Sequence, residues 1–136
     1  MGMSDHWSRL RKGMGHDLLL VPSAVACIRD SDRRILLLRR SDGDDLWGFP
    51  GGVEPVQLIG VYSTPEYAFA YPNGDQVQPV TIFFDCRVVG GEIRPDLEEI
   101  LAARYFGHDD ELPPLRPCCV AKARDAFAFD GQAYFR

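Results

Sequence analysis

The pattern of apolar and polar positions divides the chain into several strand-like segments and two helix-like ones. Runs rich in Val, Ile, Leu and Phe are typical of strands, whereas apolar residues three or four apart indicate helices. The helical pattern occurs at residues 5–14, where Asp5 can cap the first turn, and from Pro117 to about Phe127. Strand patterns fill the region from about residue 20 to residue 106. We therefore predict an α+β domain with a mixed β-sheet and flanking helices.

The strand-like segments suggest particular pairings. Residues 21–28 and 33–40 flank a polar turn, so we expect a hairpin with a heavily buried second strand. An Asn-Gly turn at residues 72–75 predicts a second hairpin. Because proline cannot donate to a ladder, Pro79 indicates that its long strand is an edge strand or is bulged. Residues 100–106 suit a further strand, although their Leu-Ala-Ala segment also suits a helix.

Composition is that of an ordinary globular protein. The 136 residues predict one domain, spanning residues 1–136, with 46% hydrophobic and 26% charged residues. A net charge of −5 argues against a nucleic-acid polymer or an anionic membrane as the main partner. No apolar run is long enough to span a membrane, and the N-terminus lacks a signal-peptide pattern, so we expect a cytoplasmic location.

The cysteines do not form a recognisable metal or disulfide pattern. Cys27, Cys86, Cys118 and Cys119 lack Cys-x-x-Cys spacing, and the last two are neighbours in sequence. The three histidines are scattered along the chain. This pattern favours reduced, mostly buried thiols over a disulfide framework or a zinc site.

Residues 46–52, Leu-Trp-Gly-Phe-Pro-Gly-Gly, carry the first functional signal. Proline fixes its own φ, and the two glycines supply backbone torsions that other residues rarely adopt, so the chain turns sharply here. Such a turn can bring backbone carbonyls and amides close to a ligand or a metal. An ordinary turn at the end of a strand explains the same residues.

The surrounding segments add to this signal through their order. A Leu-rich strand ending in Arg39 and Arg40, an acidic loop, the turn at residues 46–52, an Asn-Gly hairpin, a long strand, a Gly-Gly-Glu turn and an acidic pair follow in sequence. The series resembles the Nudix hydrolase (MutT-like) superfamily, most closely its bacterial single-domain type, over nearly the whole chain. The resemblance implies hydrolysis of the diphosphate linkage of a nucleoside diphosphate derivative, with Mg²⁺ or Mn²⁺ as cofactor. The implied partner is a nucleotide-type small molecule.

The resemblance also implies metal-binding residues. Backbone carbonyls at Gly51 or Gly52 occupy the family's position for a main-chain ligand. Glu98 and Glu99 lie where related proteins place an additional carboxylate, and Glu99 is the one candidate for a catalytic base. A solvated acidic pair at the surface is the alternative for the two glutamates, and it is the reading that we favour.

Five further residues are candidates for substrate binding. Arg39 and Arg40 end a strand beside the implied cleft and suit phosphate oxygens, although solvated strand ends would look the same. Trp47, Phe49 and Tyr71 suit stacking on a base, and core packing is the alternative for each ring.

The chain departs from the family pattern at its catalytic centre. In Nudix proteins the Gly-Gly turn opens a motif whose helix presents metal-binding glutamates in an Arg-Glu-x-x-Glu-Glu run. Here Gly52 is followed at once by Val-Glu-Pro, and no such run occurs anywhere in the sequence. Glu54 fits the lead into the next strand better than the motif, so it receives no catalytic role. A segment missing from this sequence, a deletion that still folds, and a diverged non-catalytic relative all explain the gap.

Two functions remain open on these grounds. The first is a metal-dependent Nudix hydrolase, inactive if the motif helix is truly absent. The second is a Nudix scaffold that binds a nucleotide or a protein without chemistry. Loss of the helix would also expose one apolar sheet face, and a second copy could cover that face in a homodimer.

Overall fold

A computed structural model describes residues 5–41, 45–49, 54–88 and 100–136. Within these ranges lie two helices, a short 3₁₀ turn (Pro65–Tyr67) and eight strands. In chain order the helices and strands are α1 (Asp5–Met14), β1 (Leu19–Ile28), β2 (Ile35–Arg40), β3 (Trp47–Gly48), β4 (Glu54–Tyr62), β5 (Phe69–Ala70), β6 (Gln76–Arg87), β7 (Ile100–Phe106), α2 (Pro117–Ala128) and β8 (Tyr134–Phe135). Neither described helix is long and apolar enough to cross a membrane.

The strands form two sheets, and the predicted α+β class is confirmed. In the larger sheet the order is β1-β6-β4-β8, with β5 beside β6; in the smaller sheet it is β3-β2-β7. β1 runs parallel to β6, with Leu19 opposite Val77 and Ile28 opposite Cys86. β4 pairs antiparallel with the other side of β6. The larger sheet is therefore mixed.

The predicted hairpin between the first two strands is wrong. One isolated bridge joins Arg29, the residue after β1, to Ile35 of β2, and the two strands belong to different sheets. β2 instead pairs antiparallel with β3 and β7, which shows that residues 100–106 form a strand and not a helix. A polar turn between two apolar runs is a local signal. The continuous ladder between β1 and β6 depends on residues more than fifty positions apart, and a local signal carries no information about it.

Pro79 does not mark an edge strand, because β6 lies between β1 and β4. It pairs with Val21 of β1 on one side. On the other side the pairs with β5 end at Val77, and those with β4 begin at Thr81. The missing N–H of Pro79 thus falls between two partner strands, where it costs the sheet little.

The hydrophobic core lies on both sides of the strands. The larger cluster packs α2 against the sheets and consists of Cys27, Ile35, Leu37, Ile59, Tyr62, Phe83, Phe106, Ala123 and Ala126. The smaller cluster consists of Ala26, Ile28, Leu36, Leu38 and Cys86. Neighbouring residues of a strand point to opposite faces, which explains why Leu36 and Leu37 belong to different clusters.

The sheet face of the smaller cluster continues into an exposed apolar surface. Leu20, Pro22 and Ala24 share a face with Ala26, and all three are exposed, Leu20 by 58%. Ile82, opposite Ala24 on β6, is 39% exposed. We call Leu20, Pro22, Ala24 and Ile82 the open face.

A buried carboxylate joins α2 to the end of the chain. Asp125 is 2% exposed, and its Oδ2 accepts hydrogen bonds from the Tyr62 hydroxyl at 2.9 Å and from Arg136 Nε at 3.0 Å. Arg136 Nη2 donates to Oδ1 at 2.9 Å. Burial alone would raise the pKa of Asp125, but the hydrogen bonds from Arg136 and Tyr62 outweigh it and hold the pKa below its usual value. β8, which the sequence pattern did not predict, places Arg136 at this position.

A second carboxylate attaches α1 to the predicted hairpin turn at residues 72–75. Asp75 is 6% exposed and lies 2.8 Å from His16 Nδ1 and 3.5 Å from Arg11 Nε. Asn73 Nδ2 donates to it at 3.1 Å, and Gly74 supplies the positive φ of +91° that the turn requires. The hydrogen bond with His16 holds the pKa of Asp75 below its usual value.

Candidate functional site

The first half of the glycine-rich turn is attached to the start of α2. In β3, Trp47 pairs with Arg39 of β2. The Trp47 N–H donates to the carbonyl of Pro114 at 3.0 Å, and the Trp47 carbonyl accepts from the Arg116 N–H at 3.1 Å. The ends of β2 and β3 and the first turn of α2 therefore form one unit, and we treat this unit as the candidate site.

Trp47 and Phe49 both pack against the larger core cluster. The Trp47 ring contacts Phe106 edge-on at a centroid distance of 5.7 Å, and the Phe49 ring contacts Phe83 at 4.7 Å. Both side chains remain partly exposed. Each ring therefore packs against the core at the edge of the site. Core packing was the alternative to base stacking that the sequence allowed for both residues.

Arg39 contributes a buried donor to the site. Its Nη1 lies 3.8 Å from Asp45 Oδ1, while its Nε is buried and has no hydrogen-bond partner among the described residues. Most buried polar atoms in proteins are paired, so an unpaired donor is a feature to explain. Its neighbour Arg40 is partly buried at an irregularity in the pairing of β2 with β7.

Tyr71 lies far from the other candidates. It adjoins the turn at the start of β6, is 46% exposed, and contacts Phe69 edge-on. Phe83, against which Phe49 packs, lies seven residues beyond Gln76 along β6, about 23 Å at the rise of a strand. The structure therefore does not bring Tyr71 together with Phe49.

The four candidate metal ligands, Gly51, Gly52, Glu98 and Glu99, lie outside the described residues. β3 ends at Gly48 and β4 begins at Glu54, so residues 49–53 make the whole connection between them. A helix that presents several carboxylates on one face needs two turns, about seven residues. Among the described residues no three His, Cys, Asp or Glu side chains are grouped to hold a metal.

The first turn of α2 adds residues that the sequence analysis did not single out. Cys118 is partly exposed, and its Sγ lies 3.9 Å from Sγ of Cys119, which is 6% exposed. Lys122, one turn further, is only 2% exposed, and its Nζ lies 5.7 Å from the centroid of the Tyr62 ring. The signal in the sequence was a Cys-Cys pair directly after a helix-starting proline, with a lysine four residues on.

A surface depression of about 390 Å³ lies beside α2. Its lining residues are His108, Asp110, Leu112, Leu115, Val120, Arg124, Phe127 and Ala128. None of the sequence-predicted site residues is among them, so we assign this depression no part in the candidate site.

Comparison with solved structures identifies the fold. A UDP-X diphosphatase superposes with a TM-score of 0.65 at 17% identity, over 99% of this chain and 75% of that one. An ADP-ribose pyrophosphatase from Streptococcus suis gives 0.58 at 24% identity, over 83% of this chain and 95% of that one. The chain has a Nudix-like fold. A MutT Nudix hydrolase from Burkholderia pseudomallei agrees, with a TM-score of 0.58 and 21% identity over 79% of this chain and 96% of that one.

The resemblance drawn from the sequence is thus confirmed as a Nudix-like fold. No protein-family model matches the sequence, and no curated protein matches it. At identities of 17–24% the likeness concerns architecture alone.

Proposed function

We propose that this chain is a Nudix-scaffold binding module that holds a nucleotide-type ligand and does not hydrolyse it by the metal-dependent route. One observation carries the proposal: the connection between β3 and β4 consists of residues 49–53 only. Hydrolysis of a diphosphate requires metal ions to neutralise the phosphate oxygens and the leaving group. Without a carboxylate-bearing helix after the turn, the described chain has no ligand set for those ions.

A diphosphate-bearing nucleotide derivative is the proposed ligand class. Two structural neighbours are named for diphosphate substrates, a UDP-X diphosphatase and an ADP-ribose pyrophosphatase. The buried Nε of Arg39, which lacks a partner in the described chain, supports an anionic ligand at the β2–β3 end, because a phosphate oxygen would satisfy it. A metal-free site depends more heavily on such donors.

Titration calorimetry with ADP-ribose, with and without EDTA, tests the proposal beside an assay for product release in Mg²⁺ or Mn²⁺. We expect saturable binding that EDTA does not change, and no product. Arg39→Met should weaken binding about tenfold, as loss of a charge-assisted hydrogen bond predicts. Arg34→Met, a change at an exposed arginine on the β1–β2 turn, is the matched control and should leave binding unchanged. Metal-dependent product release, or binding that EDTA abolishes, would refute the proposal.

The alternative function is the hydrolase itself, with Gly51, Gly52, Glu98 and Glu99 holding Mg²⁺ or Mn²⁺ and Glu99 as base. The names of the structural neighbours favour it. Intact mass spectrometry separates the two, since a mass of 15.3 kDa means that no motif helix has been left out of the sequence. A heavier protein that hydrolyses ADP-ribose in Mg²⁺ would establish the alternative.

We also propose that the open face is covered by a second copy in a homodimer. Leu20 and Ile82 are exposed there by 58% and 39%, and burying such side chains is favourable at about 25 cal/mol per Å². Sedimentation velocity should show a dimer that Ile82→Lys converts to a monomer. Val120→Lys, at a 56% exposed position of α2, is the matched control. A monomer at all concentrations would contradict the proposal.

A further inference from the structure

The first turn of α2 holds two neighbouring thiols in very different surroundings. Cys118 is partly exposed, whereas Cys119 is 6% exposed and its Sγ lies 3.4 Å from the position that a Cβ on Gly48 would take. One thiol is therefore open to reagents while the other is packed beneath β3.

The charges around Cys118 are positive. Arg116 occupies the N-cap position without a side-chain cap bond, and Lys122 lies on the same face of the helix, four residues from Cys118. Lys122 is only 2% exposed to solvent, and within the described chain no carboxylate lies within ion-pair distance of it. The facing end of β3 contributes Gly48 and the backbone of Phe49, which carry no net charge. An uncapped helix start adds the positive end of the helix dipole.

These surroundings favour a thiolate at Cys118. The hydrogen bond from Cys119, followed by the charges of Lys122 and Arg116, lowers the pKa of Cys118 to about 6 in spite of partial burial. The same contact and burial raise the pKa of Cys119. Burial also raises the pKa of Cys27, to about 12, and that of Cys86. Of the four thiols, Cys118 alone combines access with a low pKa.

A disulfide between Cys118 and Cys119 is geometrically disfavoured. The Cα atoms of neighbouring residues lie about 3.8 Å apart, below the range of about 4.4–6.8 Å that disulfides usually span. Closing the ring would also require the first turn of α2 to open and Cys119 to leave its contact with Gly48. Cys119 therefore donates a hydrogen bond to the Cys118 thiolate, but it does not attack a mixed disulfide at Cys118 to release the attached group.

We propose that Cys118 is a modification site for small-molecule disulfides of the glutathione type, and that the mixed disulfide persists because Cys119 cannot resolve it. The Cys118 thiolate attacks one sulfur of the disulfide. A new Cys118–sulfur bond forms, the disulfide bond breaks, and the second sulfur leaves as a thiolate that takes a proton from water. No other oxidant is required. A glutathionyl group is anionic, and the nearby positive charges of Arg116 and Lys122 favour such an adduct at Cys118.

Oxidised glutathione and mass spectrometry of the whole protein test the proposal. We expect one glutathionyl group per chain, located at Cys118 by peptide mapping, while Cys27, Cys86 and Cys119 stay unmodified. Alkylation with iodoacetamide at pH 6 should proceed roughly tenfold faster than for an unstructured cysteine peptide of ordinary pKa. The ratio allows for the lower intrinsic nucleophilicity of a low-pKa thiolate.

Variants separate the proposed cause from its alternatives. Cys118→Ser should abolish the adduct, and Cys86→Ser, the matched control, should leave it unchanged. Lys122→Met, of similar size, should raise the apparent pKa of alkylation and slow the reaction at pH 6; circular dichroism establishes that this variant is folded. Arg116→Gln tests the same charge effect at a more exposed position. A mass lower by two hydrogens without an adduct, equal labelling of all four thiols, or a rate at pH 6 no faster than the peptide would each overturn the proposal.

Discussion

Replacing Tyr62 with phenylalanine tests whether the buried carboxylate of Asp125 holds α2 to the C-terminal strand. Tyr62 is fully buried, and its hydroxyl donates to Asp125 Oδ2 at 2.9 Å. The substitution removes that hydroxyl and leaves the ring, which packs edge-on against Phe83, in place. The change in stability therefore reports the hydrogen bond and not the loss of core volume.

The expected loss is about 2 kcal/mol. A hydrogen bond to a charged group contributes about 1.5–3 kcal/mol. The lower half of that range applies, because Arg136 Nε also donates to Oδ2 and the carboxylate is not left unpaired in the variant. For a chain of 136 residues such a loss corresponds to a decrease in Tm of about 7 °C.

Two pKa shifts give this loss a characteristic pH profile. The folded-state pKa of Asp125 is lowered, so its contribution is complete above the unfolded pKa of about 4 and is lost as the pH falls through the folded pKa. Burial, followed by the hydrogen bond to Asp125, raises the pKa of Tyr62. Its contribution is complete below the unfolded pKa of about 10 and is lost as the pH rises further. The difference between wild type and variant should be constant from about pH 5 to pH 9 and shrink on either side.

Urea denaturation followed by tryptophan fluorescence measures the effect, since Trp47 packs against Phe106 in the core. We expect a lower midpoint at an unchanged m-value. Tyr71→Phe is the matched control, because that ring is 46% exposed, and it should change stability by less than about 0.5 kcal/mol. A loss below about 0.5 kcal/mol for Tyr62→Phe, or an equal loss at pH 7 and pH 11, would refute the reasoning.

Three further substitutions test other contacts. Gly60→Ala should destabilise the protein by about 1–3 kcal/mol in urea denaturation, because the new Cβ would lie 2.6 Å from the carbonyl oxygen of Tyr134. Unchanged stability would show that β8 can move away from the new methyl group at no cost. Gly13→Ala should instead stabilise α1 by up to about 1 kcal/mol, because a Cβ at this position would meet no atom within 4 Å. A loss of stability would contradict the open space around Gly13. Asp75→Asn should lower the protection factors of the α1 amides against hydrogen exchange at pH 7, because it weakens the contacts of Asp75 with His16 and Arg11. In wild type the protection factors, which are corrected for the intrinsic exchange rate at each pH, should fall as the pH drops below about 4 and through the lowered pKa of Asp75. Equal exchange in both proteins at pH 7 would refute that role.

Local patterns in the sequence are sufficient to predict several helices, strands and turns of this chain. The apolar run at Leu36–Leu38, the Asn-Gly turn before Asp75 and the proline that starts α2 each act through backbone torsions or periodicity over a few residues, and the structure has the corresponding elements there. The ordered series of motifs also predicted the Nudix-like fold, and the sequence after Gly52 shows that the Arg-Glu-x-x-Glu-Glu run is absent from these 136 residues. Each of these features depends on residues that are close together in the sequence.

The pairings between distant residues become visible only in the folded chain. β1 pairs with β6 and not with β2. The sequence pattern did not predict this pairing, because the parallel ladder joins residues far apart in the chain. Folding also brings Tyr62, Asp125 and Arg136 together around one buried charge, and it buries Lys122 beside the thiols of α2. Hydrogen bonds and burial between residues tens of positions apart have no local signature, since each depends on the register and packing of the whole sheet.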